Sequence, residues 1–172
     1  MTLEEDIKGW IDSVSELRPD LGGFAICPFA KKSSYKIISC KSTDIVPEFN
    51  YDVLIFVVED HLSLNEILEW VDFYNQKYPD FKFFEDCASY DTFINGIPTN
   101  NGKYNLILAQ LKAKLKKFRE ILAKTNYYDY WDNDYLKSIL EDDYNILERD
   151  RNPFKSSDFQ KSGETRGKTI GS

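Results

Sequence analysis

The stretch Tyr51-Asp52-Val53-Leu54-Ile55-Phe56-Val57-Val58 decides the fold. Its apolar residues run without a break from Val53, acids stand on either side at Asp52 and Glu59, and Pro47-Glu48-Phe49-Asn50 makes a turn-like approach. A strand with one wet face would alternate, so an unbroken run predicts a central strand covered on both faces. Downstream, Ser63 and Glu66 form a capping box, and Leu64, Ile67, Leu68, Val71 and Tyr74 recur at helical spacing. This predicts a helix over residues 63–77, ending before Pro79. Phe81-Lys82-Phe83-Phe84 then reads as a short strand stopped by Glu85-Asp86. Residues 51–84 therefore form a βαβ unit whose crossover is long enough to set its two strands parallel.

Upstream, Tyr35-Lys36-Ile37-Ile38-Ser39-Cys40 is β-rich and partly alternating, which adds a strand and packs Cys40 as a small apolar side chain. At the N-terminus Thr2 and Glu5 form another capping box, and Ile7, Trp10, Ile11, Val14 and Leu17 mark a helix over residues 3–17, closed by Pro19. Between them lies Gly22-Gly23-Phe24-Ala25-Ile26-Cys27-Pro28-Phe29-Ala30-Lys31-Lys32. Pro28 biases Cys27 away from helical angles, and the flanking Ile26 and Phe29 favour a bent connection with a packed thiol.

Beyond the βαβ unit, residues 91–103 hold Asn95-Gly96, Pro98 and Asn101-Gly102, the turn chemistry of a long irregular loop. A fourth strand is expected over 104–108, then a basic helix over 110–124 carrying Lys112, Lys114, Lys116, Lys117, Arg119 and Lys124. An acidic amphipathic helix follows within 126–150, marked by Leu136, Ile139, Leu140, Tyr144 and Leu147. Two antiparallel neighbours of opposite charge are the simplest reading of that pair. From Asn152 onward the composition suits a mobile tail. The expected architecture is one α+β domain over 1–150: a small mixed sheet, an N-terminal helix, the helix of the βαβ unit and two C-terminal helices.

With 172 residues the chain is long enough to bury a core without staples, and 42% hydrophobic with 30% charged residues describes a globular protein. No apolar run approaches the ~18 residues of a membrane span. The acidic start Met1-Thr2-Leu3-Glu4-Glu5-Asp6 lacks the features of a secretory signal, which leads to the expectation of a cytoplasmic protein. Three widely spaced cysteines, Cys27, Cys40 and Cys87, are expected as free thiols. The net charge of −7 opposes a nucleic-acid partner, while 15% aromatic content leans toward a protein partner. The Asn-, Lys-, Tyr- and Ile-rich composition has the look of a phage or an AT-rich bacterial genome.

If the two strands of the βαβ unit are parallel, Glu59, Asp60 and His61 leave the sheet at the same edge as Glu85, Asp86 and Cys87, where open sheets commonly bind ligands. The loop bearing Asn95 and Asn100 and the following Tyr104 belong to that edge. The sharp hypothesis is a thiol- or metal-dependent enzyme or small-ligand binder, with Cys27, His61 and Asp86 as catalytic candidates and Glu59, Asp60, Glu85, Cys87, Asn95, Asn100 and Tyr104 as binding candidates. Carboxylates with His61 would suit a divalent metal, and Cys27, Cys40, Cys87 and His61 would suit zinc. No cofactor is expected, since no paired short-spacing ligands or phosphate-cradling loop are present. The competing hypothesis is a non-enzymatic interaction protein with an aromatic, acidic contact surface at Tyr127, Tyr128, Tyr130, Trp131 and Tyr135; packing of several of these rings among themselves is the alternative.

Trp10 followed by Ile26-Cys27-Pro28-Phe29-Ala30-Lys31 resembles the opening of an uncharacterised bacterial and phage domain family in which a tryptophan-bearing helix leads to Asn-Leu-Cys-Pro-Phe-Ala-Lys. The order of later elements is similar, with Thr99-Asn100 and Tyr104 matching a Thr-Asn…Tyr segment, and the resemblance covers residues 7–120. It implies a shared fold and carries no activity.

Overall fold

In the computed structural model, described for residues 1–94 and 96–131 and for Leu136, the decisive run forms β2 (Val53–Val58). Its side chains feed two cores. Leu54, Phe56 and Val58 join the larger cluster on one face, and Ile55 and Val57 pack with Ile7 on the other. That two-sided burial is why the run shows no alternation.

Each face is covered by a predicted helix. The first, α1 (Leu3–Val14), starts at the Thr2–Glu5 capping box and buries Ile7 and Val14. It ends short of the predicted Leu17, which is 77% exposed, because Ser15 already caps the last turn. Between α1 and the next helix stand β1 (Tyr35–Cys40) and β2. The second helix, α2 (Leu64–Lys77), starts at the Ser63–Glu66 capping box and buries Ile67, Val71 and Tyr74 against the larger cluster. Each fully buried Phe or Ile there contributes roughly 1.5–3 kcal/mol.

The chain continues through β3 (Phe81–Asp86), a small hairpin of β4 (Phe93–Ile94) and β5 (Ile97–Pro98), then β6 (Leu106–Leu111) and α3 (Lys112–Ala123). The main sheet has the order β1-β2-β6-β3. β1 lies parallel to β2, and β6 is antiparallel to both β2 and β3. Thus β2 and β3 do run the same way, with β6 inserted between them. The fold is α+β with a mixed sheet.

Further elements shift from the sequence reading: β3 runs through Glu85 and Asp86, expected as its stop, and α3 starts at Lys112. The fourth strand begins at Leu106 rather than Tyr104, because the Tyr104 N–H donates to the Asn101 side chain at 2.6 Å instead of entering the ladder. The strand then runs to Leu111, which pairs with Phe81. The chain groups into two compact units, Met1–Leu115 and Lys116–Ser172, with the sheet in the first, where the sequence reading treats 1–150 as one domain. The acidic helix, the tail, Asn95 and Tyr135 lie outside the described residues.

Candidate functional site

Because β2 and β3 run the same way, Glu59 and Asp60 leave the sheet at the edge where Asp86 and Cys87 also leave it. β6 starts between them: Val58 donates to the carbonyl of Asn105 at 3.0 Å, and Ala88 donates to the Asn105 side chain at 3.1 Å. The acids are therefore gathered as the strand directions require. Two of them, Asp60 and Asp86, already have hydrogen-bond partners within the fold.

Asp86 accepts from the Asn101 backbone N–H at 2.9 Å and from the Asn101 side-chain amide. That amide also donates to the carbonyl of Tyr104 at 2.9 Å, and its oxygen accepts from Lys103 and Tyr104. Every donor and lone pair of the Asn101 amide is occupied. Gly102 makes this possible, since its φ of 72° turns the chain back under the side chain. Burial pushes the Asp86 carboxyl above its usual range, outweighing the Asn101 donors. Asp60 is occupied by Ser42, whose N–H donates at 2.8 Å and whose hydroxyl donates to the second oxygen. Desolvation opposes ionisation of Asp60, but the two Ser42 donors, with its own N–H and the charge of Lys41, hold the carboxyl below the usual range.

The thiols are poorly placed for nucleophilic work. Cys87 is buried, and desolvation with the charges of Glu85 and Asp86 pushes it up to about 11. Cys40 is pushed up to about 11 by burial and by Asp44, Glu59 and Asp60. Cys27 is not packed as the sequence suggests: Ile26 takes the inward position and Cys27 is exposed as a residue. Its sulfur is nevertheless desolvated by the turn, which raises the thiol against the pull of the Ala30 and Phe29 N–H groups. All three are shifted away from the thiolate, the opposite of the shift that activates a nucleophilic cysteine.

Nor do the catalytic candidates converge. The Cys27 N–H is tied at 2.9 Å to the carbonyl of Val14, at the end of α1 on one face of the sheet. His61 is exposed in the connection to α2 on the other face, and Asp86 is held by Asn101. Among the described residues, no three His, Cys, Asp or Glu side chains could hold a metal ion.

The binding candidates Asn100 and Tyr104 meet at a seam between α1 and the loop before β6, whose other members, Asp6, Trp10, Asn101 and Lys103, sequence reasoning missed. Asp6 accepts from Lys103 and from the Tyr104 hydroxyl, each at 2.7 Å, and Trp10 donates its indole N–H to the Thr99 carbonyl at 2.9 Å. Lys103 first, then Tyr104, holds the Asp6 carboxyl below the usual range. Asn100 reaches Asp91 at 3.3 Å. Asp6, Trp10, Asn100, Asn101, Lys103 and Tyr104 line a groove of about 200 Å³, short of the ~300–1,000 Å³ typical of a drug-sized ligand site. The Asn101-Gly102 step was the available signal, since such turns bond their own backbone. Glu59 is exposed and Glu85 half-buried.

The aromatic segment is corrected too. Tyr127 and Tyr128 are each 3% exposed, and their rings cluster with Trp131 at centroid distances of 4.8, 5.3 and 5.9 Å. Tyr130 and Trp131 are half-buried. Burial takes the first two rings off the surface, in line with the packing alternative. Among the described residues no helix is long and apolar enough to cross a membrane. Comparison of the chain with protein-family models, with curated proteins and with solved structures gives no match.

Proposed function

We propose that this chain is a non-enzymatic interaction protein whose contact surface is the aromatic, acid-rimmed side of α2. The supporting observation is a run of ring contacts. Phe49 meets Phe81 at 5.0 Å, Phe83 and Tyr78 follow, and Tyr74, Trp70 and Phe73 complete it, Trp70 meeting Phe73 edge-on at 5.6 Å. The middle rings are core; the ends reach water, with Phe49 63% exposed and Phe73 48% exposed beside Lys77, whose ammonium lies 5.6 Å from the ring centre. Aromatic rings fixed by their neighbours lose little entropy on contact and are favoured anchors. Leu68 adds an exposed aliphatic group, and the exposed Glu69, Asp72 and Asp80 supply negative charge. The fitting partner is a protein presenting apolar and basic side chains, and the net charge of −7 argues against nucleic acid. Free thiols suit a reducing cytoplasm as the place of action.

Phe73→Ser tests the reading. Because the ring is half-exposed, the variant should melt within a few degrees of the wild type while losing the proteins that cross-link to it in cells. An unchanged cross-linking profile, with the fold intact, removes α2 as the contact surface.

A further inference from the structure

We infer that the outer edge of β1 docks a second copy of this chain, whose own β1 adds antiparallel to the first and joins two four-stranded sheets into one. β1 is an end strand with only β2 beside it. The Ser34 carbonyl accepts from Val53 at 3.0 Å and the Cys40 carbonyl from Glu59 at 2.9 Å, so the even-numbered residues face β2. Alternation of the backbone then turns Tyr35, Ile37 and Ser39 outward. Among the described residues nothing bonds their N–H and C=O groups.

Such an edge is a template for another strand, and three features select a second copy as the occupant. The first is register. With a two-fold axis through Ile37, Tyr35 faces Ser39 of the other copy and Ile37 faces its equivalent, so every outward donor and acceptor is matched. The second is side-chain compatibility. The charged residue of the strand, Lys36, comes opposite Ile38 and is already neutralised by Glu48 at 2.9 Å, so no like charges meet.

The third is charge complementarity between the two ends. Lys31 and Lys32 are exposed just before the strand starts, and among the described residues no ion pair occupies them. Asp44, Glu59 and Asp60 surround the strand's last residue closely enough to act on the Cys40 thiol. An antiparallel partner sets the basic start of each copy beside the acidic end of the other. A parallel strand would set like beside like.

The test is the oligomeric state of the full chain by sedimentation velocity across a concentration series. Wild type should convert from monomer to dimer as concentration rises; monomer throughout overturns the inference. Ser39→Pro removes an outward N–H that β2 does not use and should leave a folded monomer. A Ser39→Pro protein that folds and still dimerises also overturns it.

Should Ser39→Pro fail to fold, reversed charges decide. A Lys31→Glu/Lys32→Glu variant and an Asp44→Lys/Glu59→Lys variant should each dimerise at least about tenfold more weakly than wild type. Mixed together they should form a heterodimer, since both junctions then pair opposite charges. No heterodimer on mixing counts against the antiparallel edge. Phe73→Ser should leave self-association unchanged, which separates this edge from the α2 surface; loss of the dimer in Phe73→Ser alone would move the interface to α2.

Discussion

The two end strands of the sheet are finished differently. On β3, the α2 side chain Asn75 reaches Phe83 from the outer side, accepting its N–H at 2.7 Å and donating to its carbonyl at 3.1 Å, as a neighbouring strand would. The Phe81 N–H is taken by the Tyr78 carbonyl at 3.0 Å, and the third outward residue is the charged Glu85. On β1 the three outward residues carry no charge and, among the described residues, meet no such amide. Unpaired strand edges are normally blunted, so closing one edge while leaving the other bare separates a structural boundary from an available one.

The largest difference should appear in the cores behind the two strands. Phe83 is fully buried, in contact with Tyr74, Tyr78 and Phe81, and Phe83→Ala should cost about 3–5 kcal/mol in urea unfolding. Ile37 is half-buried against the smaller cluster, and Ile37→Ala should cost about 1–2 kcal/mol, in proportion to the apolar area it buries. Equal costs would mean that β1 is as deeply built in as β3.

An intermediate effect should come from the edge itself. Asn75→Ala leaves the Phe83 N–H and C=O without their side-chain partner, at a cost of about 1–3 kcal/mol. Amide exchange at Phe83 should accelerate in the same variant, while exchange at Ile37 in the wild type should already be fast and should slow as protein concentration rises. A neutral Asn75→Ala with unchanged Phe83 exchange would show that water serves the β3 edge equally well.

This asymmetry was only half legible in the sequence. Periodicity locates β2 and α2, because Val53–Val58 and the Ser63–Glu66 box are local signals. It also gives the direction of β2 and β3, and hence the gathering of Asp60 and Asp86 at one edge. It says nothing about neighbours. The insertion of β6 between β2 and β3 is a long-range choice, and so is the bare side of β1. Nothing local shows that Asp60 and Asp86 are occupied, because their partners, Ser42 and Asn101, are remote in sequence and carry no motif. For the rings at 127–131 the sequence leaves surface and packing both open, because composition does not distinguish a packed cluster from an exposed one.

The smallest effect is electrostatic, and its sign differs between the two strands. β1 is held at both ends by carboxylates: Asp52 accepts from the Ser34 N–H at 2.9 Å, and Asp60 accepts from Ser42. The hydrogen bond from Lys114, then those from Ser34, holds Asp52 below the usual carboxylate range, as the Ser42 donors do for Asp60. A carboxyl whose folded pKa is depressed stabilises the fold above its unfolded value and loses that contribution as pH falls through the folded one. Asp86, at the end of β3, is shifted the opposite way by burial, so its contribution is complete at low pH and is lost as pH rises through its folded value. Acidification from neutrality should therefore loosen β1 first, with amides of residues 35–40 exchanging faster relative to those of 81–86 than at pH 7. Both β1 carboxylates are partly solvated, so the change should be modest and weaker in high salt. In Asp52→Asn/Asp60→Asn the relative loosening should disappear; if it persists undiminished, the two carboxylates do not set the pH response of β1.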